Sequence, residues 1–344
     1  MRIAKLIVTA FILVLITGVL PAFAQTDWEV AKTFHVGGEG GWDYLTVDPD
    51  THRLYVTRST HTLVIDGDSG KTIADIAGQK RSHGVAIVPK AGRGFISDGG
   101  GDGAIVIFDL KTNAVLGTVA ALPDADGIIF DASSGLVLVV SGDKGVLMTL
   151  KPDIDPKTGK IDAPIDLGGS PEFLAADGKG KAYINLMDKN EVAVVDLKAR
   201  KVLSRWPVAP GGAPVGMSMD TKNRRLFIGC RNPQKLIVMS ADDGKVLADL
   251  SIGAGVDATK FFDKQAFASC RDGSLAVAGE ISPGKFEIVE TVKTPLGART
   301  MGVDPPTDTI YMPTAEFEEA KPGARPAVKP DTFMIVVVAR HTAK

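Results

Sequence analysis

The short motifs that most often assign a chemistry are missing from this sequence. It contains no Gly-x-Ser-x-Gly, no His-Glu-x-x-His, no phosphate-binding Gly-x4-Gly-Lys-Ser/Thr and no Cys-x-x-Cys, the haem-attachment form included. The familiar signatures of hydrolases, metalloproteases, nucleotide-binding proteins and thiol oxidoreductases are therefore absent. An electron-transfer role likewise finds no cofactor ligand in the sequence.

Helical periodicity and long apolar segments are also lacking beyond the N-terminus. No such segment approaches the about 20 apolar residues that a membrane helix needs. The 38 glycines and 20 prolines suit many short strands joined by turns. These features predict an all-β chain.

The first residues have the pattern of a cleavable export signal. Arg2 and Lys5 precede an apolar run, and Ala22-Phe23-Ala24 forms an A-x-A cleavage site. We expect residues 1–24 to be removed before Gln25, which would place the mature protein in the periplasm or outside the cell. An uncleaved anchor is the alternative, although the apolar run is short for one.

An excess of positive charge is absent as well. Loss of Arg2 and Lys5 with the signal would lower the 39 basic residues to 37, against 41 acidic ones. This balance gives no support to a nucleic-acid partner.

A degenerate unit recurs about seven times after the signal. Each copy reads as an apolar run ending near an Asp, a turn, and an aromatic-centred run, as in Tyr44–Asp48 followed by Leu54–Thr57. Periods of 40 to 50 residues with four strands per unit are typical of propeller blades. The central residue of the second run falls at Tyr55, Phe95, Leu138, Tyr183, Phe227, Phe267 and Tyr311.

The repeats predict one domain, residues 25–344, folded as a seven-bladed β-propeller with four antiparallel strands per blade. The seventh unit lacks a fourth strand, and Trp28–Val36 has the pattern of one. We predict that it pairs with Phe333–Val338 and closes the ring, which would remove exposed sheet edges. The insertion at 316–331 is predicted to be a long, mobile loop of the last blade.

Cys230 and Cys270 occupy equivalent places in neighbouring repeats. Equivalent strands of adjacent blades should lie roughly 10 Å apart, beyond the about 7 Å between Cα atoms that a disulfide tolerates. Buried free thiols are therefore favoured over a bridge, which remains the alternative.

The repeat resembles the YVTN repeat of the YncE-like seven-bladed β-propellers. The likeness rests on Tyr55-Val56-Thr57 in the second strand and on Asp66 at the end of the third, and it extends over the mature chain. Arg58 stands where the motif has Asn, whereas Asn185 follows Tyr183-Ile184 in the fourth repeat. The resemblance implies an exported propeller and leaves the activity open, since the roles of that family are mostly unassigned.

Two sets of loops should emerge at one end of such a ring: those leading into the first strand of each blade, and those joining its second and third strands. They carry an acidic set on the early blades and a basic set on the late ones. The predicted ligand-binding residues are Trp42, Asp43, Arg58, His83, Asp98, Asp126, Glu172, Asn185, Arg231, Asp257, Arg271 and Arg299.

Two functions follow from this face. The first is a non-enzymatic binding or scaffold propeller, a monomer whose arginines recognise a small anion, a peptide or a partner protein. The alternative is a hydrolase, lactonase or lyase acting on a sugar-derived or lactone substrate, with the catalytic candidates His83, Asp43, Asp126 and Glu172. No cofactor is predicted, although those four side chains would also suit a divalent cation. Charges that merely neutralise one another around the rim are the plainer interpretation.

Overall fold

A computed structural model describes residues 28–319 and 326–341 of the chain. The predicted signal, residues 1–24, lies outside this part. Short 3₁₀ turns occur at Pro89–Ala91 and Pro305–Thr307. The strands are β1 (Trp28–His35), β2 (Leu45–Asp48), β3 (Arg53–Thr57), β4 (Ser59–Asp66), β5 (Thr72–Val88), β6 (Arg93–Asp98), β7 (Ala104–Asp109), β8 (Val115–Ala120), β9 (Ala125–Asp131), β10 (Leu136–Ser141), β11 (Val146–Leu150), β12 (Ile165–Asp166), β13 (Pro171–Ala176), β14 (Lys181–Leu186), β15 (Glu191–Asp196), β16 (Lys201–Pro207), β17 (Pro214–Asp220), β18 (Arg225–Arg231), β19 (Gln234–Ser240), β20 (Val246–Ser251), β21 (Val256–Phe262), β22 (Gln265–Cys270), β23 (Ser274–Ser282), β24 (Lys285–Lys293), β25 (Gly302–Asp304), β26 (Thr309–Thr314) and β27 (Met334–Arg340).

The strands form antiparallel sheets in which sequence neighbours are also spatial neighbours. Four sheets of four strands have the orders β12-β11-β10-β9, β13-β14-β15-β16, β17-β18-β19-β20 and β21-β22-β23-β24. A fifth four-stranded sheet has the order β1-β27-β26-β25, and a seven-stranded sheet contains β2 to β8. This is the all-β arrangement that the repeats predict.

The seven-stranded sheet departs from the prediction of two separate units. Strand β5 is continuous over 17 residues, and it pairs with β4 through its first half and with β6 through its second half. No proline or tight turn interrupts it, and Gln79 at its middle is anchored by hydrogen bonds to Thr62 and to the Ile76 carbonyl. One strand thus serves both as the fourth strand of the first repeat and as the first strand of the second.

The N-terminal strand pairs with the C-terminal one as predicted. Residues of β1 lie opposite those of β27 from Trp28 and Arg340 at one end to His35 and Met334 at the other. The Trp28 ring is buried and contacts Phe267 with centroids 5.1 Å apart. The two ends of the described chain are joined in one sheet.

The repeated aromatic or leucine side chains lie in the core. All seven are on the second strand of their unit and are at most 3% exposed, from Tyr55 to Tyr311. Burial of such side chains is the main stabilising contribution of each repeat. Turn glycines keep the repeats close-packed: Gly70 has φ of +74°, and a Cβ there would overlap the ring of Phe34.

Cys230 and Cys270 are both buried free thiols. They lie in β18 and β22, the second strands of neighbouring sheets. The absence of a bridge agrees with the spacing argument.

The described parts of the insertion at 316–331 contact each other near its base. Phe317 forms a β-bridge with Val328, and the backbone of Glu318 donates to the Ala327 carbonyl at 2.8 Å. That the insertion is a long, mobile loop stays a prediction.

Candidate functional site

The predicted loop residues converge because they occupy matching positions at the beginning of the inner strands. Asp43 lies two residues before β2, Glu172 and Asp257 are the second residues of β13 and β21, and β2 contacts both β5 and β25. Inner strands crowd around a shared centre, so side chains far apart in sequence come within a few ångströms of one another.

The acidic half of the site consists of Asp43, His83, Asp126 and Glu172, and His83 lies at its centre. Its Nδ1 lies 2.7 Å from Asp43 Oδ2 and 3.5 Å from Asp126 Oδ1, and its side chain is 9% exposed. Desolvation by burial lowers the pKa of His83, but the hydrogen bond that His83 donates to Asp43 and the charges of Asp126 and Asp43 outweigh it and raise the pKa to about 9. The imidazole is therefore protonated at neutral pH and donates to Asp43.

Two further carboxyl groups of this half hold their protons more tightly than usual. Burial, followed in effect by the repulsion of Asp43 and Glu172, raises the pKa of Asp126 well above its ordinary value, against the opposing charge of His83. Burial raises the pKa of Glu172 to about 7, although Arg231 opposes the shift. Several negative charges in one desolvated region cannot all be accommodated, so part of the cluster stays neutral.

The basic half of the site contains Arg231 and Arg299, and Asp257 pairs with both of them. Its Oδ2 lies 2.5 Å from Arg299 Nε, and its Oδ1 is paired with the Arg231 guanidinium. Arg299 also approaches Asp43 Oδ1 at 3.7 Å and donates to the Trp42 carbonyl at 3.2 Å. The acidic and basic halves are thus one connected network of charges.

A cavity of about 660 Å³, called the arginine cavity or arginine site below, opens beside this network, next to the insertion. Among the described residues, three arginines and no acidic residue line it, together with an apolar wall. The lining residues are Gly41, Trp42, Arg231, Gly255, Arg271, Leu296, Gly297, Arg299, Phe317, Pro326 and Val328. Cationic groups facing an apolar wall are the arrangement that recognises an anion carrying an apolar body.

Three of the predicted ligand-binding side chains form hydrogen bonds with nearby backbone groups. The buried Arg58 guanidinium donates to the carbonyls of the loop at 37–41, including that of Gly41 at 3.0 Å, and stacks on Phe333 at 3.7 Å. Asp98 accepts from the backbone of Lys80 and Arg81. The fully buried Asn185 donates to the Val215 and Gly216 carbonyls at 2.8 and 3.0 Å. These side chains order loops and sheet contacts because burial obliges them to pair with the nearest backbone groups.

The donor atoms of Asp43, His83 and Asp126 lie within 4.8 Å of one another, close enough in principle to surround a cation. An imidazole and two carboxylates suit a divalent transition metal. His83 Nδ1 lies 2.7 Å from Asp43 Oδ2, so a cation bound through Nδ1 would replace this hydrogen bond.

The apolar wall of the cavity and the aromatic centre were not predicted from the sequence. Phe317 comes from the insertion, where length alone indicated a functional loop, and its ring lies 6.2 Å from that of Trp42. The rings of Tyr44 and Phe173 meet at 4.6 Å across the centre, between β2 and β13. Tyr44 follows Asp43 in the sequence, and Phe173 follows Glu172. This pattern indicates an aromatic pair only when the strands are known to converge.

Fold comparisons place the chain among β-propellers. At 11–12% identity it superimposes with a TM-score of 0.74 on a chain of the mitotic checkpoint complex (98% of this chain, 100% of that one), and with 0.73 on U3-55K (90% and 99%). A chain of hydrazine synthase from Kuenenia stuttgartiensis gives 0.67 at 12% identity (81% and 94%). Similarity at this level shows the fold alone.

Within that class the chain resembles the YncE proteins. It is 23% identical to YncE of Salmonella typhi over 207 residues (58% of this chain, 57% of YncE), and 23% identical to YncE of Salmonella typhimurium strain LT2 over 163 residues (46% of each). The chain thus spans about half the length of the curated relatives that it matches. Both relatives are described as uncharacterized, and no family model matches the chain.

Within the described residues, no helix has the length and apolar character that crossing a membrane would require.

Proposed function

We propose that this protein is a binding propeller that holds a small carboxylate-bearing molecule in the cavity beside Arg231, Arg271 and Arg299. The supporting observation is the cavity lining itself, in which three arginines, Trp42 and Phe317 take part and no acidic residue of the described chain does. Guanidinium groups bind carboxylates through paired hydrogen bonds, and an aromatic wall favours a ligand with an apolar or ring-shaped body.

The pairing of Arg231 and Arg299 with Asp257 affects the expected affinity for the ligand in two ways. The shared carboxylate fixes both guanidinium groups in position, so little conformational entropy is lost when a ligand binds. It also cancels part of their charge. Arg271, which is exposed at the cavity, supplies a third guanidinium group for a carboxylate.

The proposed architecture is a closed ring of seven blades in a single domain, residues 25–344, exported behind the signal at 1–24. The seven-stranded sheet counts as two four-stranded units when β5 is included in each, which gives seven units in all. The pairing of β1 with β27 supports closure of the ring. Small-angle scattering of the purified mature chain should give a compact monomer. An elongated profile would argue against a closed ring.

Titration calorimetry with phenylacetate tests the ligand proposal. Wild-type protein should bind, and Arg271→Ala should weaken binding at least about tenfold because a charge-assisted pair is lost. Arg299→Ala should weaken it similarly. Arg205→Ala, which removes an arginine on outer strand β16, is the matched control and should leave binding unchanged. Equal affinity in wild type and Arg271→Ala would refute the arginine site.

The enzymatic alternative draws on the contact of His83 with Asp43 at 2.7 Å. A general base must be unprotonated, and a pKa of about 9 makes His83 a poor one at neutral pH. Glu172, with its pKa of about 7, is the better candidate for that role. Lactone hydrolysis by wild type that is lost in Glu172→Gln would favour the enzyme, and inactivity of both would favour the binding protein.

A further inference from the structure

A second cavity lies at the centre of the molecule and is separate from the arginine site. Its volume is about 230 Å³, and the residues around it come from the inner strands β2, β5, β9, β13 and β21. It shares no lining residue with the arginine cavity. Its lining runs along the inner strands, from Tyr44 and Leu45 at the beginning of β2 to Ile87 and Phe130 near the ends of β5 and β9.

Lys260 is the only cationic side chain in this lining. The remaining residues are Tyr44, Leu45, Thr46, Gly84, Val85, Ala86, Ile87, Ile128, Ile129, Phe130 and Phe173. Most of them are apolar. The Thr46 hydroxyl already donates to the Val85 carbonyl, and the Tyr44 hydroxyl to the Asp257 carbonyl.

The Lys260 ammonium lacks a compensating charge. Within residues 28–319 and 326–341, Nζ has neither an ion-pair nor a hydrogen-bond partner, and its one contact of note is the Phe173 ring at 5.8 Å. Burial alone lowers the pKa of Lys260, and no carboxylate acts against that effect. The Lys260 side chain is half-buried, and its ammonium lies against an apolar wall with no counter-charge, so an anion in the cavity would gain an ion pair there.

We propose that this central cavity is a binding site for a short-chain monocarboxylate, with Lys260 pairing with the carboxylate and the apolar inner-strand residues surrounding the chain. The cavity is smaller than the about 300–1,000 Å³ of typical ligand pockets, so it suits a molecule of the size of butyrate. A single cation in an apolar chamber matches a single carboxylate on an apolar tail. This site is independent of the arginine site above.

Titration calorimetry with sodium butyrate tests the proposal on the full mature chain. Wild type should bind butyrate, Lys260→Met should lose at least tenfold in affinity, and the neutral isostere butyramide should not bind.

The control variant Arg271→Ala separates the two sites. It should keep butyrate binding while it loses phenylacetate binding. Butyrate binding that survives Lys260→Met, or that disappears in Arg271→Ala, would overturn the Lys260 site without touching the arginine proposal.

The stability of Lys260→Met provides a second test. If the ammonium is uncompensated, the apolar replacement should unfold at a higher temperature than wild type in the absence of ligand, and butyrate should raise the midpoint of wild type only. A lower midpoint for Lys260→Met would mean that the charge is already compensated, and the proposal would fail.

Discussion

The guanidinium group of Arg58 supports a loop that carries one wall of the arginine cavity. It donates to several carbonyls between Gly37 and Gly41, next to Trp42 in sequence. In Arg58→Met these carbonyls, which belong to a largely exposed loop, would lose the donor that orders them, so we expect the free energy of unfolding to fall by about 1.5–3 kcal/mol. Urea unfolding measures this. Arg205→Met is the control, since Arg205 bonds only to the Leu167 carbonyl, and an equal loss in both variants would contradict the assignment.

The pairing of His83 with Asp43 predicts a pH dependence of stability. The pKa of His83 is raised from 6.5 to about 9 on folding, so its contribution is fully present below pH 6.5 and is lost as the pH rises through about 9. The loss should be on the order of 3 kcal/mol. Glu172 acts in the same direction at lower pH, between its ordinary pKa of 4.5 and about 7, because its pKa is also raised.

Thermal unfolding between pH 6 and 9.5 measures the effect of His83. The midpoint of wild type should fall steeply toward pH 9, and His83→Gln should flatten that slope. His35→Gln, which removes an exposed histidine, should retain the wild-type slope. A slope that is the same in His83→Gln would show that another group titrates.

At the scale of elements, the packing of strand β1 against the neighbouring sheet depends mainly on its first residue, Trp28. The Trp28 ring is 3% exposed, contacts Phe267 and Phe262, and donates through Nε1 to Gln265 Oε1 at 3.0 Å. Trp28→Ala should therefore lower the free energy of unfolding by about 3–5 kcal/mol. Val30, in the same strand, is 37% exposed, so Val30→Ala should cost about 0.5 kcal/mol or less.

Chemical denaturation followed by intrinsic fluorescence and circular dichroism compares the two β1 variants. Equal, small losses would mean that the pairing of β1 with β27 contributes little. A large loss confined to Trp28→Ala would identify the ring as the anchor that holds the chain ends in one sheet.

At the scale of the whole molecule, the two thiols report on global unfolding. Cys230 and Cys270 are buried in adjacent sheets, and burial raises the pKa of each thiol to about 12. Both should be unreactive toward a disulfide reagent in the native state and become reactive together at the urea midpoint seen by circular dichroism. Reaction of either thiol well before that midpoint would show that its sheet opens separately.

The sequence by itself determined the repeat, the strand order and the buried aromatic column. Those features depend on local periodicity and turn residues, which act over a few positions and leave a readable pattern. The same pattern predicted that β1 pairs with β27, and that Asp43, His83 and Asp257 lie at the inner ends of the repeats. It missed the continuity of β5, because nothing local distinguishes a bend between two strands from a single long strand.

Only the tertiary structure decided which charges pair and which residues face a ligand. Arg299 meets Asp43 across 256 positions of chain, and Arg58 turns inward although it follows the same kind of strand as Arg231. Distances of a few ångströms between distant residues determine such pairings, and no sequence period encodes them. For the same reason Lys260, an ordinary strand residue in the sequence, is revealed as an uncompensated charge only when the inner strands are brought together.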